Sequence, residues 1–249
     1  MIRRWMEGMG ETLLWMMAYV GLSIGAVWLA PRIPALNSLP GMLFLSFLAI
    51  IALILWVHRR QLTHTGWFTK VDRKSLRHTL RLSLASVLLV TFLLQYVFPQ
   101  WTMPEDFQET FTEIARFSPW VTFAIIGFLG PLTEELLFRG AILQILRKKI
   151  GPKTAVLISS ILFALIHWNL YQASYTVVLG LLLGIIALKS GSLWLPMIFH
   201  ILYNTLSAVL GSVPGTTLDL LFIKTYIAPL IGILLLADSL KYFIGGKRR

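Results

Sequence analysis

Long runs of uncharged, apolar residues dominate the chain, and short polar segments separate them. A helix needs about 20 apolar residues to cross a bilayer, so each run predicts a transmembrane helix. The run from 154 to 188 is long enough for two helices, with a turn near HWNLYQ. The pattern therefore predicts eight spans: Leu13–Ala30, Gly41–Val57, Leu82–Phe98, Trp120–Leu146, two helices within 154–188, Ser192–Leu210 and Leu220–Leu236.

Composition supports this prediction. Hydrophobic residues make up 57% of the 249 residues and charged residues only 13%, whereas soluble domains carry about 25% charged residues. We therefore expect an all-α, polytopic transmembrane bundle of about eight helices. No A-x-A-like cleavage site follows the first run, so we expect a retained helix and not a signal peptide. The absence of cysteine excludes disulfides, cysteine nucleophiles and thiolate metal sites.

The net charge of +11 comes mostly from five basic segments that fall on one side of an eight-span topology. By the positive-inside rule both termini are cytoplasmic. The same distribution argues against nucleic-acid binding, because no recognition motif accompanies it. The segments are Arg3/Arg4, the 58–81 linker, Arg147–Lys153, Lys189 and Lys241–Arg249.

Two polar segments lie outside the predicted spans. The 58–81 linker is basic and contains aromatic residues, which predicts a loop facing lipid headgroups. The segment PEDFQETFTEIARF predicts a short amphipathic helix on the outer surface, with Phe107, Phe111 and Ile114 on one face.

Charged side chains interrupt the fourth span at Glu134, Glu135 and Arg139. A charge at mid-membrane costs about 2.5–3.5 kcal/mol on insertion scales, so such residues normally pair inside the bundle. Glu135 and Arg139 have the i,i+4 spacing of an ion pair with the acid first. Glu134 is turned by about 100° from Glu135, which leaves its carboxylate for a neighbouring helix.

Two histidines in other apolar runs complete the polar set. Helical spacing places Phe163 and His167 on one face, and His200 and Asn204 on another. A desolvated carboxylate can act as a general base. Histidine can share that role or bind a metal, and a His/Asn pair can donate to an oxyanion. The set therefore predicts activation of a water molecule within the membrane.

Other intramembrane protease classes do not fit the sequence. An aspartyl protease needs two aspartates within spans, a rhomboid-type serine protease needs Gly-x-Ser-Gly, and a zincin-type or site-2-type enzyme needs His-Glu-x-x-His. None of these is present. An ion-coupled transporter with Glu134 as proton carrier predicts inverted repeats, and the sequence has no visible repeat.

Three short motifs resemble a known family. EELLFRG resembles E-E-x-x-x-R, FALIH resembles F-x-x-x-H, and HILYN resembles H-x-x-x-N/D, in that order within 118 to 212. These are similar to the motifs of the Abi, or CAAX-protease-and-bacteriocin-processing, intramembrane proteases, which include the type II CAAX prenyl endopeptidase. The chain accordingly divides into 1–117 with three helices, the linker and the outer helix, a protease-like core at 118–212, and 213–249 with the last helix and basic tail.

The resemblance implies a membrane-embedded endopeptidase with its site in the three motifs. It implies that Glu134 activates water with His167 as partner, and that His200 and Asn204 stabilise the oxyanion or complete a metal site. It gives Glu135, Arg139 and Phe163 supporting roles. A divalent metal such as zinc, if used, would be held by Glu134, His167 and His200.

Two functions of different classes follow from these expectations. The first is hydrolysis of a peptide bond in a membrane-associated or lipidated peptide, by an integral multi-pass protein of a bacterial plasma membrane. The second is a non-enzymatic regulator or bacteriocin-immunity protein with the same fold, which would tolerate loss of a motif residue. All motif residues are present in this chain.

Overall fold

The computed structural model describes residues 2–59, 67–98, 100, 102–212 and 223–245, and within these residues every regular element is helical. The all-α prediction is confirmed. The helices are α1 (Ile2–Leu29), α2 (Leu39–Val57), α3 (Arg73–Phe92), α4 (Glu105–Ala115), α5 (Pro119–Ile150), α6 (Pro152–Leu165), α7 (Leu170–Ser190), α8 (Trp194–Ser212) and α9 (Ala228–Gly245).

Six helices in this part of the chain are long and apolar enough to cross a membrane, namely α1, α2, α3, α5, α7 and α9. Helices α6 and α8 are apolar but shorter. The helix pair within 154–188 is confirmed, because α6 ends at Leu165 and α7 begins at Leu170. The number of helices that cross the bilayer, and the side on which the termini lie, stay predictions.

Three helices extend further into charged sequence than expected. Helix α1 begins at Ile2 and not near Leu13, α3 begins at Arg73 and not at Leu82, and α9 continues to Gly245 beyond the predicted end at Leu236. Residues 73–81 of the basic linker are therefore helix and not loop. Residues 60–66 of the linker and the predicted start of the last span at Leu220 lie outside the described residues.

Partners on neighbouring helices explain these extensions. Lys149 Nζ of α5 lies 2.9 Å from Glu7 Oε2 of α1. Arg81 Nη1 of α3 lies 2.8 Å from Asp238 Oδ2 of α9. Asp72 starts α3 by accepting a hydrogen bond from the backbone N–H of Ser75 at 2.9 Å, as an N-cap residue does. Hydropathy alone predicts helices that are too short, because it does not include such pairs.

The amphipathic segment forms α4 as predicted, and Ile114 is buried. The side chains of Phe107 and Phe111 lie outside the described residues, so the proposed apolar face of α4 remains a prediction for these two positions.

Contacts between segments distant in sequence gather the basic segments at one end of the bundle. Besides the Lys149–Glu7 pair, Thr69 Oγ1 donates to the carbonyl of Gly191 at 3.1 Å, and Lys189 Nζ donates to the carbonyl of Ile244 at 3.4 Å. We call this region the basic end. Helix α8 runs from it through the centre of the bundle and packs against α3 and α5.

Two glycines on α7 set its distance from α6. A Cβ atom on Gly180 would lie 2.9 Å from Ser160 Cβ and 3.0 Å from Ser160 Cα, and one on Gly184 would lie 3.0 Å from Val156 Cγ1. Gly180 and Gly184 form a small-x-x-x-small pattern, which allows close approach of membrane helices. The spacing of Gly180 and Gly184 is visible in the sequence, but it was not among the predicted features.

Gly180→Ala should therefore destabilise the protein by about 1–3 kcal/mol, because the added methyl group meets the backbone of α6. The measurement is thermal unfolding of the purified protein in detergent. Gly25→Ala is the matched control, since nothing lies within 4 Å of a Cβ at that position of α1. Equal melting temperatures for the two variants would contradict the close packing of α6 and α7.

Candidate active site

Helix α5, which carries both glutamates, is not a regular α-helix. Two π-helical segments, Phe123–Leu129 and Leu136–Ile142, flank the α-helical turn Gly130–Glu135. Such wide turns are rare and frequently occur at functional sites, because they shift side chains relative to the helix axis. The two carboxylates thus lie between two irregular segments of one long helix.

Pro131 contributes to the first irregular segment, and it leaves the carbonyl of Ile126 without a backbone donor. The N–H of Gly130 donates to the carbonyl of Ile125, five residues back, and Pro131 has no N–H to offer the next carbonyl. The carbonyl of Ile126 instead accepts from Asn204 Nδ2 of α8 at 3.0 Å. One amide hydrogen of Asn204 is therefore used to satisfy the backbone of α5.

The second irregular segment is satisfied in a similar way. The N–H of Leu143 donates to the carbonyl of Phe138, which also accepts from Ser159 Oγ of α6 at 3.2 Å. Gln144 Nε2 donates to the carbonyl of Arg139 at 2.9 Å. Side chains thus stabilise the non-standard register, and Ser159 fixes α6 against α5.

Glu135 and Arg139 form the i,i+4 ion pair that the sequence predicts. Arg139 Nη1 lies 2.8 Å from Glu135 Oε1, and both side chains are fully buried. Arg139 Nη2 also donates to the carbonyl of Gly180 at 3.2 Å. The guanidinium therefore links α5 to α7 at the point where the glycine permits close packing.

His200 of α8 lies between the two glutamates. Its Nδ1 is 2.9 Å from Glu135 Oε1, and its Nε2 is 3.6 Å from Glu134 Oε2. Because a carboxylate accepts hydrogen bonds, Nδ1 carries a hydrogen and Nε2 faces Glu134. Sequence reasoning assigns Glu135 only to Arg139, whereas in the structure Glu135 also orients His200.

Glu134 is the less constrained carboxylate of the pair. Its side chain remains 16% exposed, compared with 0% for Glu135. Its distance of 3.6 Å from His200 Nε2 is longer than a direct hydrogen bond, while Arg139 pairs with Glu135. The helical spacing predicts that the Glu134 carboxylate is available to a neighbouring helix, and in the structure it faces His200 of α8.

Phe163 of α6 is the common neighbour of the two histidines. Its ring meets His167 and His200 edge to face, with centroid distances of 5.2 and 5.7 Å. The Arg139 Cζ lies 4.5 Å from the centroid of the same ring, which is within the range of a cation–π contact. The fully buried Phe163 thus lies at the junction of all three motifs.

His167 is oriented by its own helix end. Its Nδ1 lies 2.9 Å from the carbonyl of Phe163, so Nδ1 carries the hydrogen and Nε2 of the neutral ring is an acceptor. Asn169 Nδ2 donates to the carbonyl of His167 at 2.8 Å. Trp168 between them has a φ of 56°, a left-handed conformation that is uncommon for a bulky residue and frequent in constrained sites.

The structure thus brings Glu134, Glu135 and His200 together directly, and His167 packs against the same Phe163 ring as His200. Asn204 lies on α8 one turn beyond His200, with its amide directed to Ile126. Three contributors were absent from the sequence analysis: Ser159, Gly180 and the carbonyl of Ile126. Pro131, three residues before Glu134, was the available signal for the carbonyl of Ile126, since proline removes a backbone donor from the helix.

The candidate metal ligands of the site are Glu134, His167 and His200. No group of three or more His, Asp or Glu side chains converges on a common point suitable for a metal ion anywhere in the residues that the structure describes. His200 Nδ1 and His167 Nδ1 each face a protein oxygen, which leaves Nε2 of each ring as the atom that could bind a metal. A metal at Glu134, His167 and His200 therefore stays a prediction.

Comparison with known proteins agrees with the three motifs. Residues 116–206 match the model of the type II CAAX prenyl endopeptidase Rce1-like family. We call residues 116–206 the Rce1-like segment, because they are similar to this family. It contains all of Glu134, Glu135, Arg139, His167, His200 and Asn204, and the resemblance drawn from the motifs is confirmed for this part of the chain.

Two bacterial proteins are similar to part of this chain. An Escherichia coli protein of 24.3 kDa, whose name states no function, is 33% identical over 96 residues, which are 36% of this chain and 44% of the relative. A Bacillus subtilis (strain 168) protein named "Putative membrane peptidase YdiL" is 27% identical over 90 residues, 36% of this chain and 37% of the relative. The chain thus matches less than half the length of these relatives. No solved structure matches it significantly.

The contact between Asn204 and Ile126 can be tested with a double-mutant cycle. Asn204→Ala should cost about 1–3 kcal/mol, because the carbonyl of Ile126 loses its partner. In a Pro131→Ala background residue 131 regains an N–H, and the cost of Asn204→Ala should then fall. Thermal unfolding of the four proteins in detergent measures this coupling. Additive effects would contradict a link between Pro131 and Asn204.

Proposed function

We propose that this protein is a membrane-embedded endopeptidase in which Glu134 activates the attacking water. The observation that carries the proposal is the position of His200 between the two glutamates, with Glu135 committed to Arg139 and Glu134 left on the side of His200 Nε2. The Rce1-like segment and the membrane-peptidase name of one relative support membership of a membrane protease family.

Charge balance supports the proposed roles. Glu134, Glu135 and Arg139 together carry one net negative charge when ionised, and burial in apolar surroundings penalises an unbalanced charge. In our proposal His200 carries hydrogen on both ring nitrogens, and the positive charge of this imidazolium makes the set neutral. His200 then donates from Nδ1 to Glu135, and its Nε2–H points towards Glu134. The ionised Glu134 is ready to accept a proton from water.

In the proposed reaction, the water oxygen forms a bond with the carbonyl carbon of the peptide while Glu134 takes one of its protons. The π electrons of the carbonyl move to its oxygen and give a tetrahedral oxyanion. This intermediate collapses when the C=O bond re-forms and the C–N bond breaks. The proton on Glu134 passes to the leaving nitrogen, and the products are a carboxylic acid and an amine.

The other motif residues assist this reaction in our proposal. His167 Nε2, the acceptor of the ring, receives the second hydrogen bond of the attacking water and orients it. The oxyanion accepts from His200 Nε2–H and from the second amide hydrogen of Asn204. Asn204 then has two functions, because its first hydrogen already satisfies Ile126.

The proposed substrate is a peptide bond in a membrane-associated or lipidated peptide. The helices around the site are apolar and carry exposed hydrophobic side chains, so a substrate with an apolar anchor can approach from the bilayer. We propose a bacterial plasma membrane as its location, since both similar proteins are bacterial.

Substitution of the two glutamates separates catalysis from folding. Glu134→Gln should lower the cleavage rate by about 10²–10⁴ through loss of the general base, with an unchanged melting temperature. Glu135→Gln should instead cost about 3–5 kcal/mol in stability, because Arg139 is left buried without a charged partner. The two substitutions make the same chemical change one residue apart, so each is the control for the other.

The assay uses the protein in lipid nanodiscs with quenched fluorescent peptides, with and without a lipid anchor, and thermal unfolding in parallel. Full cleavage by Glu134→Gln would overturn the role of Glu134. If the wild-type protein cleaves no peptide but retains a membrane partner that Glu134→Gln also retains, the regulator or immunity function would replace the enzymatic one.

We propose a reaction that does not depend on a metal, because the Asn204 amide is a poor zinc ligand and a good hydrogen-bond donor, and the three motifs supply only two imidazoles. Turnover of the purified protein should therefore be unchanged after incubation with a chelator and dialysis, and elemental analysis should find much less than one zinc per chain. One tightly bound zinc per chain, with activity lost on chelation and regained with zinc, would contradict this and assign Glu134, His167 and His200 as ligands.

A further inference from the structure

A cavity of about 510 Å³ lies at the basic end of the bundle, away from the candidate active site. None of the residues Glu134, His167, His200 and Asn204 lines it. Its walls come from α1, the end of α2, the last turns of α5 and the turn between α7 and α8. The side chains used in the argument below are Trp15, His58, Trp67, Arg147, Lys148 and Lys149.

The cavity has an excess of positive charge. Lys149 lies 2.9 Å from Glu7 and 3.6 Å from Glu11, the acidic residue in the cavity wall. Arg147 and Lys148 have no carboxylate partner among the residues that the structure describes, and both are exposed to the cavity mouth. The excess charge therefore belongs to two adjacent residues at the end of α5, and it favours an anionic ligand.

Aromatic rings form another wall of the cavity. The ring of His58 lies between Trp15 and Trp67, with centroid distances of 5.4 and 4.9 Å. His58 Nε2 is buried and has no hydrogen-bond partner within the described part of the chain. Burial and the charge of Lys148 lower the pKa of His58, so the ring is neutral near pH 7. Tryptophan side chains are enriched at the headgroup level of membranes.

Apolar side chains are exposed next to the cavity. They favour a phospholipid over a free anion as the ligand, because only a phospholipid has acyl chains to cover them. On α1, Leu14 is 66% exposed and lies about one turn from Glu11 of the cavity wall, and Val57 in the cavity wall is 45% exposed. Acyl chains can cover these side chains while the phosphate lies in the cavity. Basic pockets between transmembrane helices bind acidic lipid headgroups in this manner.

We propose that the cavity binds one anionic phospholipid, with Arg147 and Lys148 at its phosphate and its acyl chains along α1. The ligand would contact α1, which lies outside the Rce1-like segment, and the end of α5, which lies inside it. The two helices are already close here, because a Cβ on Gly8 of α1 would lie 3.1 Å from Lys149 Cβ. The bound lipid thus stabilises the contact between α1 and α5, the helix that carries the glutamates.

The test compares lipid binding by the full chain and by a variant that lacks the positive side chains of Arg147 and Lys148. The purified protein in detergent is titrated with phosphatidylglycerol or phosphatidylcholine, and native mass spectrometry counts the bound lipids. Arg147→Ala/Lys148→Ala should weaken phosphatidylglycerol binding by about thirty-fold, or about five-fold for each basic residue. Arg73→Ala/Lys153→Ala is the control, because it removes the same charge from exposed positions outside the cavity.

We expect the wild-type protein and the control to retain one phosphatidylglycerol and to prefer it to phosphatidylcholine by about ten-fold or more. The proposal is overturned if the control loses as much affinity as the cavity variant, if the two lipids bind equally, or if inorganic phosphate at millimolar concentration displaces the lipid. Should the alanine pair lower the melting temperature, Arg147→Gln/Lys148→Gln provides the same loss of charge with longer side chains.

Discussion

The buried ion pair between Glu135 and Arg139 is the interaction on which the arrangement of the central helices depends. Two charges removed from water need close partners for every donor and acceptor, and a single loss leaves an uncompensated charge. Arg139 has Glu135, the carbonyl of Gly180 and the ring of Phe163 as partners, while its Nε has no hydrogen-bond partner among the described residues. These partners come from α5, α7 and α6, so the position of one guanidinium fixes three helices.

The same pair determines which glutamate remains available. Because Glu135 Oε1 accepts from both Arg139 and His200, the imidazole is held with its second nitrogen towards Glu134. The neighbouring residue in the sequence thus becomes the reactive candidate, although both side chains are chemically identical. Environment alone distinguishes a structural carboxylate from a catalytic one, as in other sites with paired carboxylates.

Much of this arrangement could be predicted from spacing. The i,i+4 relation of Glu135 and Arg139, the different face of Glu134 and the turn at HWNLYQ all follow from helical periodicity. The contact of His200 with both glutamates could not, because it depends on how α8 crosses α5. The hydrogen bond from Asn204 to the carbonyl of Ile126 could not be predicted either, because it depends on the shifted backbone hydrogen bonds beside Pro131. The ends of α1, α3 and α9 were missed because pairs such as Arg81–Asp238 form only after the helices pack.

Helix α6 has 14 residues and is therefore only about 21 Å long, whereas the hydrocarbon layer is about 30 Å thick. A bilayer adjusts to a short helix by thinning locally or by drawing polar headgroups inward. His167 follows the end of this helix, and the polar turn His167–Trp168–Asn169 comes directly after it. A helix of this length therefore favours the approach of headgroups and solvent to the polar turn beside His167. For the hydrolysis proposed above, bilayer thickness would then control how readily water reaches the site, and a thin bilayer would favour the reaction over a thick one.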